Sequence, residues 1–162
     1  MNGPVDGLDR KLYDQALRWL TRRSYGEQEL AWRLAGVGGE PGAIAAVLIR
    51  CRELGYLDDR AFVLSRIRVR QNQGWGRLRI RAELRSLGLD EAILTEAWAV
   101  FEQDADEEGS DPVARARRVL EKRFGAAAGW NRSDLRERGR RYAFLARRGF
   151  EAEVIDAALV EL

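Results

Sequence analysis

The chain has 162 residues, of which 46% are hydrophobic and 33% are charged, with a formal net charge of only +2. This composition is too apolar for a disordered protein. The longest apolar run, Ala43 to Ile49, covers seven residues, whereas a membrane span needs roughly 20. The start of the chain lacks the basic and apolar segments of a signal peptide, and one cysteine excludes an intramolecular disulfide. We therefore expect a cytoplasmic protein with no membrane contact.

Apolar residues recur at helical spacing along nearly the whole chain, and no stretch alternates with the period of two typical of a strand. Residues 1–9 are expected to form a disordered tail. Residues 10–57 contain three predicted helices, with a glycine-rich turn at 36–42 after the second. Cys51 falls on the apolar face of the third helix, which predicts a packed core thiol.

The pattern starts again in a second predicted unit, residues 58–103. Asp58 or Asp59 is a candidate N-cap for its first helix. Gly74-Trp75-Gly76 predicts a turn, and Gly88 is expected to end the second helix in the left-handed conformation.

A third unit is predicted over residues 112–162, after an acidic linker at 104–111. Leu84-x-x-x-Gly88-Leu89 of the second unit parallels Leu145-x-x-x-Gly149-Phe150 of the third. We therefore predict an all-α fold of three tandem three-helix units, each similar to a helix-turn-helix, that form an elongated, curved body.

Charge is distributed unevenly in spite of the small net value. Residues 60–85 carry eight arginines against one glutamate, and residues 112–148 carry 12 basic groups against three acidic ones. Residues 86–111 carry nine acidic groups and no basic group. Separated basic blocks indicate an anionic partner, either nucleic acid or an acidic protein surface, although solvated helix faces would give the same pattern.

The second unit has the most suggestive surface. Arg77, Arg81 and Arg85 follow a spacing of four residues, which predicts one stripe on a helix. Guanidinium groups suit phosphates and carboxylates. Trp75 either stacks on a base, fills a protein pocket or anchors its loop to the core. The predicted binding residues are Arg66, Arg70, Trp75, Arg77, Arg81 and Arg85 in the second unit and Arg117, Arg118, Arg138 and Arg141 in the third.

No arrangement of residues indicates catalysis. The chain has no histidine, which removes Ser-His-Asp and Cys-His arrangements and the commonest metal ligand. Gly74-x-Gly76 lacks the third glycine of a dinucleotide-binding site. The acidic segment that begins at Asp104 resembles the start of a calcium loop, but Arg115 stands where the last glutamate ligand should be. We expect a protein with no enzymatic activity, no metal and no cofactor. A monomer is expected, because no heptad seam is long enough for a coiled coil.

Four short motifs occur in a characteristic order and spacing, namely Glu27-Gln28-Glu29-Leu30-x-x-x-Leu34, Gly55-Tyr56-Leu57-Asp58-Asp59-x-x-Phe62, Gly76-x-x-x-Ile80-x-x-x-Leu84-x-x-x-Gly88-Leu89 and Arg147-Arg148-Gly149-Phe150. Taken together, these motifs resemble the RecX family, the regulators of the RecA recombinase. The chain departs from the family at Gly26, where a serine often caps the second helix.

The resemblance implies three tandem three-helix repeats without enzymatic activity. It also implies binding along the groove of the RecA–single-strand DNA filament, with reduced recombinase, ATPase and coprotease activity in recombination, DNA repair and the SOS response. One alternative is a helical-repeat protein that binds single- or double-stranded DNA independently of RecA. Another is an adaptor for a different acidic protein.

Overall fold

The computed structural model of the protein describes residues 8–104, 111–125 and 134–160. Within these ranges the chain forms nine α-helices and no strand, which confirms the predicted all-α class. None of these helices is long and apolar enough to cross a bilayer. The helices are α1 (Arg10–Leu20), α2 (Glu27–Gly36), α3 (Pro41–Glu53), α4 (Asp59–Asn72), α5 (Arg77–Ser86), α6 (Glu91–Asp104), α7 (Pro112–Phe124), α8 (Leu135–Arg148) and α9 (Ala152–Val160).

Each set of three consecutive helices encloses its own buried cluster, so the predicted repeat of three-helix units is confirmed. The three clusters are separate, and each takes apolar side chains from all of its helices. Fully buried members include Leu30, Leu34 and Val47 in the first unit, Ile67, Ile80 and Leu84 in the second, and Leu120, Leu145 and Ile155 in the third.

Cys51 is fully buried in the first of these clusters, as its position on the apolar face predicted. Burial raises the pKa of the thiol, because the low-dielectric interior disfavours a thiolate. The side chain is therefore a small apolar core residue rather than a nucleophile.

The second helix of every unit ends in the same hydrogen-bonded turn. In the third unit the Phe150 amide donates to the Leu145 carbonyl at 3.2 Å, and the Gly149 amide donates to the Ala146 carbonyl at 2.9 Å. The same two bonds close α2 at Gly38 and α5 at Gly88. All three glycines have φ between 79° and 88°, a left-handed conformation that other residues adopt at a cost. The first unit thus follows the same repeat, through Leu34-x-x-x-Gly38. This motif was not among those aligned between the second and third units.

The start of α5 packs end-on against this turn of the third unit. The Gly76 amide donates to the Arg148 carbonyl at 2.8 Å, and the Leu78 amide donates to the Gly149 carbonyl at 2.9 Å. The first amides of an α-helix have no carbonyl partner within that helix. At the start of α5, the carbonyls at the end of α8 accept these hydrogen bonds instead. A Cβ atom on Gly149 would lie 2.5 Å from the Arg79 nitrogen, and one on Gly76 would overlap the Gly149 backbone. The two helices therefore meet backbone to backbone.

The first and second units meet at the equivalent position, but through side-chain atoms. The start of α2 packs on Gly88 at the end of α5, where an added Cβ would lie 2.5 Å from the Gln28 Cγ. Gly26 offers no side chain to cap α2, and the Glu27 amide donates instead to the Asp59 carboxylate of the next unit at 2.8 Å. Asp58 caps α4 by accepting from the Ala61 amide at 3.0 Å. The Asp58-Asp59 pair therefore serves two helices in two units.

The predicted boundary segments fall partly outside the described residues, namely 1–7 of the tail and 105–110 of the linker. Asp9 caps α1 by accepting from the Leu12 amide at 3.0 Å, and Leu8 packs against the first core. Asp104 is the last residue of α6, and Asp111 caps α7 by accepting from the Val113 amide at 2.8 Å. Residues 126–133 and 161–162 also lie outside the described ranges.

Replacing Gly149 with alanine is expected to lower the free energy of unfolding by roughly 2–5 kcal/mol. The left-handed conformation costs alanine about 1–2 kcal/mol. The contact with Arg79 adds an overpacking cost of about 1–3 kcal/mol. Urea unfolding followed by far-ultraviolet circular dichroism would measure the difference.

Gly139→Ala is the matched control, because Gly139 lies inside α8 with no atom within 4 Å of an added Cβ. This variant is expected to gain about 0.5–1 kcal/mol. Equal effects of the two substitutions would contradict the close contact at Gly149.

Candidate macromolecule-binding surfaces

Arg77, Arg81 and Arg85, here called the α5 stripe, lie on one side of α5 beside the buried Ile80 and Leu84. Burial, followed by the positive charges of Arg85 and Arg77, lowers the pKa of Arg81. The three guanidinium groups are thus close enough to repel one another, as the spacing predicted. Arg85 has the most accessible side chain, at 58% exposed.

Acidic side chains of α6 pair with every arginine of the α5 stripe. Arg81 and Arg85 both contact Glu91, with the Arg85 Nε 2.7 Å from a carboxylate oxygen. The Arg77 Nη1 lies 3.2 Å from the Glu102 carboxylate. These glutamates belong to the acidic block at 86–111, so folding places that block against the arginines that precede it.

The predicted pair on α4 is also matched by a carboxylate. Glu83 accepts from the Arg70 Nε at 2.7 Å and lies 3.9 Å from the Arg66 Nη1. The hydrogen bonds from Arg70 to Glu83 raise the pKa of Arg70. A macromolecular partner must therefore compete with internal carboxylates at all five of the predicted second-unit arginines.

Trp75 lies at the boundary between the second and third units. Its half-buried ring packs against the second core, and the guanidinium carbons of Arg70 and Arg79 lie 4.3 Å and 3.9 Å from the ring centroid. The indole therefore anchors its loop to the second unit. It also lines a cleft toward the third unit.

This basic cleft has a volume of about 670 Å³ and opens between the second and third units. One wall is the end of α4 with the loop that carries Trp75, and the other is formed by α7 and α8. Phe101, Val119, Phe144 and Phe150 provide apolar surface between the charged groups. The cations that line the basic cleft are Arg68, Arg115, Arg118, Lys122, Arg123 and Arg148.

The lining of the basic cleft differs from the α5 stripe in its charge balance. Among the described residues that line the cleft there is no aspartate or glutamate. Burial lowers the pKa of Arg115, the carboxylate of Asp111 opposes this shift, and the charge of Arg118 adds to it. The described part of the lining is therefore a concave surface with six cationic side chains.

A second concavity, the basic groove, adjoins the cleft on the surface of the third unit. It has a volume of about 450 Å³ between α7 and α8, with Gly139, Ala143 and the two phenylalanines Phe124 and Phe144 in its lining. Arg123 and Phe144 line both concavities, so these two side chains lie between them. The cations of the basic groove are Arg123, Arg136, Arg140 and Arg147.

The four predicted third-unit residues take different positions. Arg118 lines the basic cleft. Arg141 is buried, with its Nε 3.1 Å from Glu137, and Arg138 lies 3.7 Å from Asp156. Arg117 is half-buried on α7. The structure therefore brings only Arg118 of these four to the cleft.

Several cleft residues were absent from the predicted set, including Arg68, Lys122, Arg123 and Arg148. The sequence carried a signal for part of this surface. Arg115, Arg118 and Lys122 follow a spacing of three and four residues, which places them on one face of α7 as regularly as the α5 stripe. No local pattern indicated that Arg68, from another unit, would face them.

Replacing Glu83 with glutamine is expected to lower the free energy of unfolding by roughly 1–2 kcal/mol, because two largely covered arginines lose one shared carboxylate. Glu53→Gln is the control, since Glu53 is 59% exposed and forms one weak pair with Arg50 at 3.4 Å. Its effect should stay within about 0.5 kcal/mol. Equal urea midpoints for the two variants would show that the Glu83 pairs contribute no stability.

Comparisons with known proteins place the chain in one family. The family models of the RecX second and third three-helix domains match residues 58–97 and 110–159. The chain is 36% identical over 152 residues to regulatory protein RecX of Legionella pneumophila (strain Corby), covering 94% of this chain and 95% of the relative. It is 40% identical over 145 residues to regulatory protein RecX of Halorhodospira halophila, covering 90% of this chain and 84% of the relative. The crystal structure of RecX from Lactobacillus salivarius shares the fold, with a TM-score of 0.78, 20% identity and 98% coverage of both chains. Because the sequence identity extends over nearly the whole chain and the family models match its second and third units, this chain belongs to the RecX family.

Proposed function

We propose that this chain is a non-catalytic regulator that binds the RecA–single-strand DNA filament and inhibits the recombinase, ATPase and coprotease activities of RecA. The observation that carries the proposal is family membership over at least 90% of the chain, because the resemblance to RecX implies this partner. The protein would act in the cytoplasm as a monomer, without a metal or cofactor.

The α5 stripe supports a contact with an acidic protein surface. Its ion pairs join side chains that are 24% to 58% exposed, and such pairs contribute only about 0–1 kcal/mol each. A partner carboxylate can therefore replace Glu91 or Glu102 at little cost. Charges arranged in this way mainly guide association and select the partner.

The repeated junction between units supports binding to a repetitive target. The second helices of the first and second units, α2 and α5, each begin against the end of the second helix in the next unit, so neighbouring units are joined through equivalent positions. A row of such units presents similar surfaces at regular intervals. A filament of identical subunits offers matching sites at regular intervals.

The first test is the single-strand-DNA-dependent ATPase activity of RecA, titrated with this protein at a fixed DNA concentration. We expect the rate to fall at fewer protein molecules than RecA subunits, because one bound regulator would affect a run of subunits. An unchanged rate with the protein in excess would contradict the proposal and favour a direct DNA-binding protein or an adaptor.

The site prediction is tested by the triple variant Arg77→Gln, Arg81→Gln, Arg85→Gln. Glutamine is chosen because glutamate would face Glu91 and Glu102 and destabilise the fold. We expect inhibition to weaken by about tenfold or more, as several charge-assisted contacts are lost, with unchanged helicity by circular dichroism.

The control for this variant is Arg10→Gln, Lys11→Gln, Arg18→Gln, which removes three exposed cations from α1. Both triple variants change the formal net charge from +2 to −1. Full inhibition by the α5 variant, or equal losses in both, would remove the α5 stripe from the contact surface.

A further inference from the structure

We infer that Glu91 and Glu102 of α6 are internal competitors for the α5 stripe, which the carboxylates of an acidic protein partner must displace in order to bind. These two glutamates set the affinity of the stripe and restrict it to partners with more than one carboxylate. The inference deepens the proposed function and rests on it for the identity of the partner. One of the two measurements that test it is made without RecA.

The two glutamates hold all three arginines of the stripe from opposite ends of α6. Glu91, the first residue of α6, contacts Arg81 and lies 2.7 Å from the Arg85 Nε. Glu102, near the last residue of α6, lies 3.2 Å from the Arg77 Nη1. Guanidinium groups bind carboxylates through charge-assisted hydrogen bonds. A carboxylate of a partner therefore competes with these glutamates for the same charged groups.

The ion pairs of the stripe are open to solvent and therefore weak. The carboxylates of Glu91 and Glu102 are 45% and 52% exposed. An exposed pair of this kind forms with an equilibrium constant of only about 1–5. Because a partner must displace two glutamates, the competition lowers its apparent affinity by roughly threefold to thirtyfold.

Other contacts keep the arginines in place when the glutamates are displaced. The Arg77 guanidinium carbon lies 5.0 Å from the centroid of the buried Trp98 ring, a cation–π contact that does not involve Glu102. Burial lowers the pKa of Arg81, and the carboxylate of Glu151 in the third unit opposes this shift, so a second acidic group also attracts Arg81. The stripe is therefore preformed for a partner, which reduces the entropy lost on binding.

The length of the stripe defines the partner that can replace both glutamates. Arg77 and Arg85 are eight residues apart, which corresponds to about 12 Å along the helix axis. A single carboxylate replaces only one of the glutamates and is repelled by the other. A surface with two or more carboxylates over this distance replaces both. Glu91 and Glu102 thus discriminate against weakly acidic surfaces, because specific interfaces use repulsive groups to exclude wrong partners.

The first measurement is the RecA ATPase titration with a variant that lacks both competitors. This α6 variant carries Glu91→Gln and Glu102→Gln, which removes two negative charges and keeps side chains of similar size. We expect its half-inhibitory concentration to be about threefold lower than that of the wild-type chain, or lower still. The same two substitutions should have no effect when combined with the α5 variant, because the arginines for which the glutamates compete are then absent.

The matched control is Glu53→Gln, Glu96→Gln. These two exposed glutamates pair with Arg50 and Arg60, outside the stripe. Both double variants change the formal net charge from +2 to +4, because each removes two negative charges. The control should inhibit RecA at the same concentration as the wild-type chain.

The second measurement is the binding of fluorescently labelled polyglutamate to the full chain, followed by anisotropy without RecA. We expect the α6 variant to bind polyglutamate about threefold more tightly than the wild-type chain and the matched control. This gain should also disappear when the α5 variant is added, which separates the stripe from the basic cleft.

An unchanged or higher half-inhibitory concentration in the α6 variant, or an equal gain in the matched control, would overturn the inference and leave the regulator. A lower urea midpoint without a gain in inhibition would show that the glutamates only stabilise the fold. Tighter binding of oligothymidylate but not of polyglutamate would make the stripe a phosphate-binding surface and would also overturn the inference. If the wild-type chain does not inhibit RecA, the proposed function fails, and the polyglutamate comparison alone decides the inference.

Discussion

The end-on contact between second helices of neighbouring units is the constraint on which the other features depend. At this contact the amides at the start of α5 meet the carbonyls at the end of α8, which joins opposite ends of two helix dipoles. Backbone approaches backbone because neither Gly76 nor Gly149 has a side chain. The basic cleft lies beside this contact, so its two walls take their separation from it.

The two junctions use one geometry with different chemistry. Between the second and third units, backbone carbonyls accept the first-turn amides. Between the first and second units, the carboxylate of Asp59 accepts the amide of Glu27. This carboxylate explains how α2 begins at Gly26 without a capping side chain of its own. The carboxylate of the next unit thus accepts the hydrogen bond that a local capping side chain would accept. The capping of α2 therefore depends on the docking of the units.

Charge segregation in the chain has two different structural outcomes. The acidic helix α6 packs beside α4 and α5, and two of its glutamates pair with the three arginines of the α5 stripe. The basic block of the third unit contributes most of the cations of the cleft and the groove, whose linings contain no carboxylate in the described ranges. Two blocks that look alike in sequence therefore have different surroundings: the α5 stripe contacts glutamates of α6, whereas the described linings of the cleft and the groove combine cations with aromatic side chains.

The sequence by itself determined the helices, the three-unit repeat, the left-handed end at Gly88 and the core position of Cys51. These features depend on residues within a few turns of one another, where helical spacing and cap residues act directly. Only the tertiary structure decided which charges are matched, because Arg77 and Glu102 are 25 residues apart and meet through helix packing. It also decided the location of the cleft, which joins Arg68 of α4 to Arg118 of α7. Such a surface depends on the docking of the second and third units, and that docking joins the start of α5 to the end of α8, which lie about 70 residues apart in the sequence.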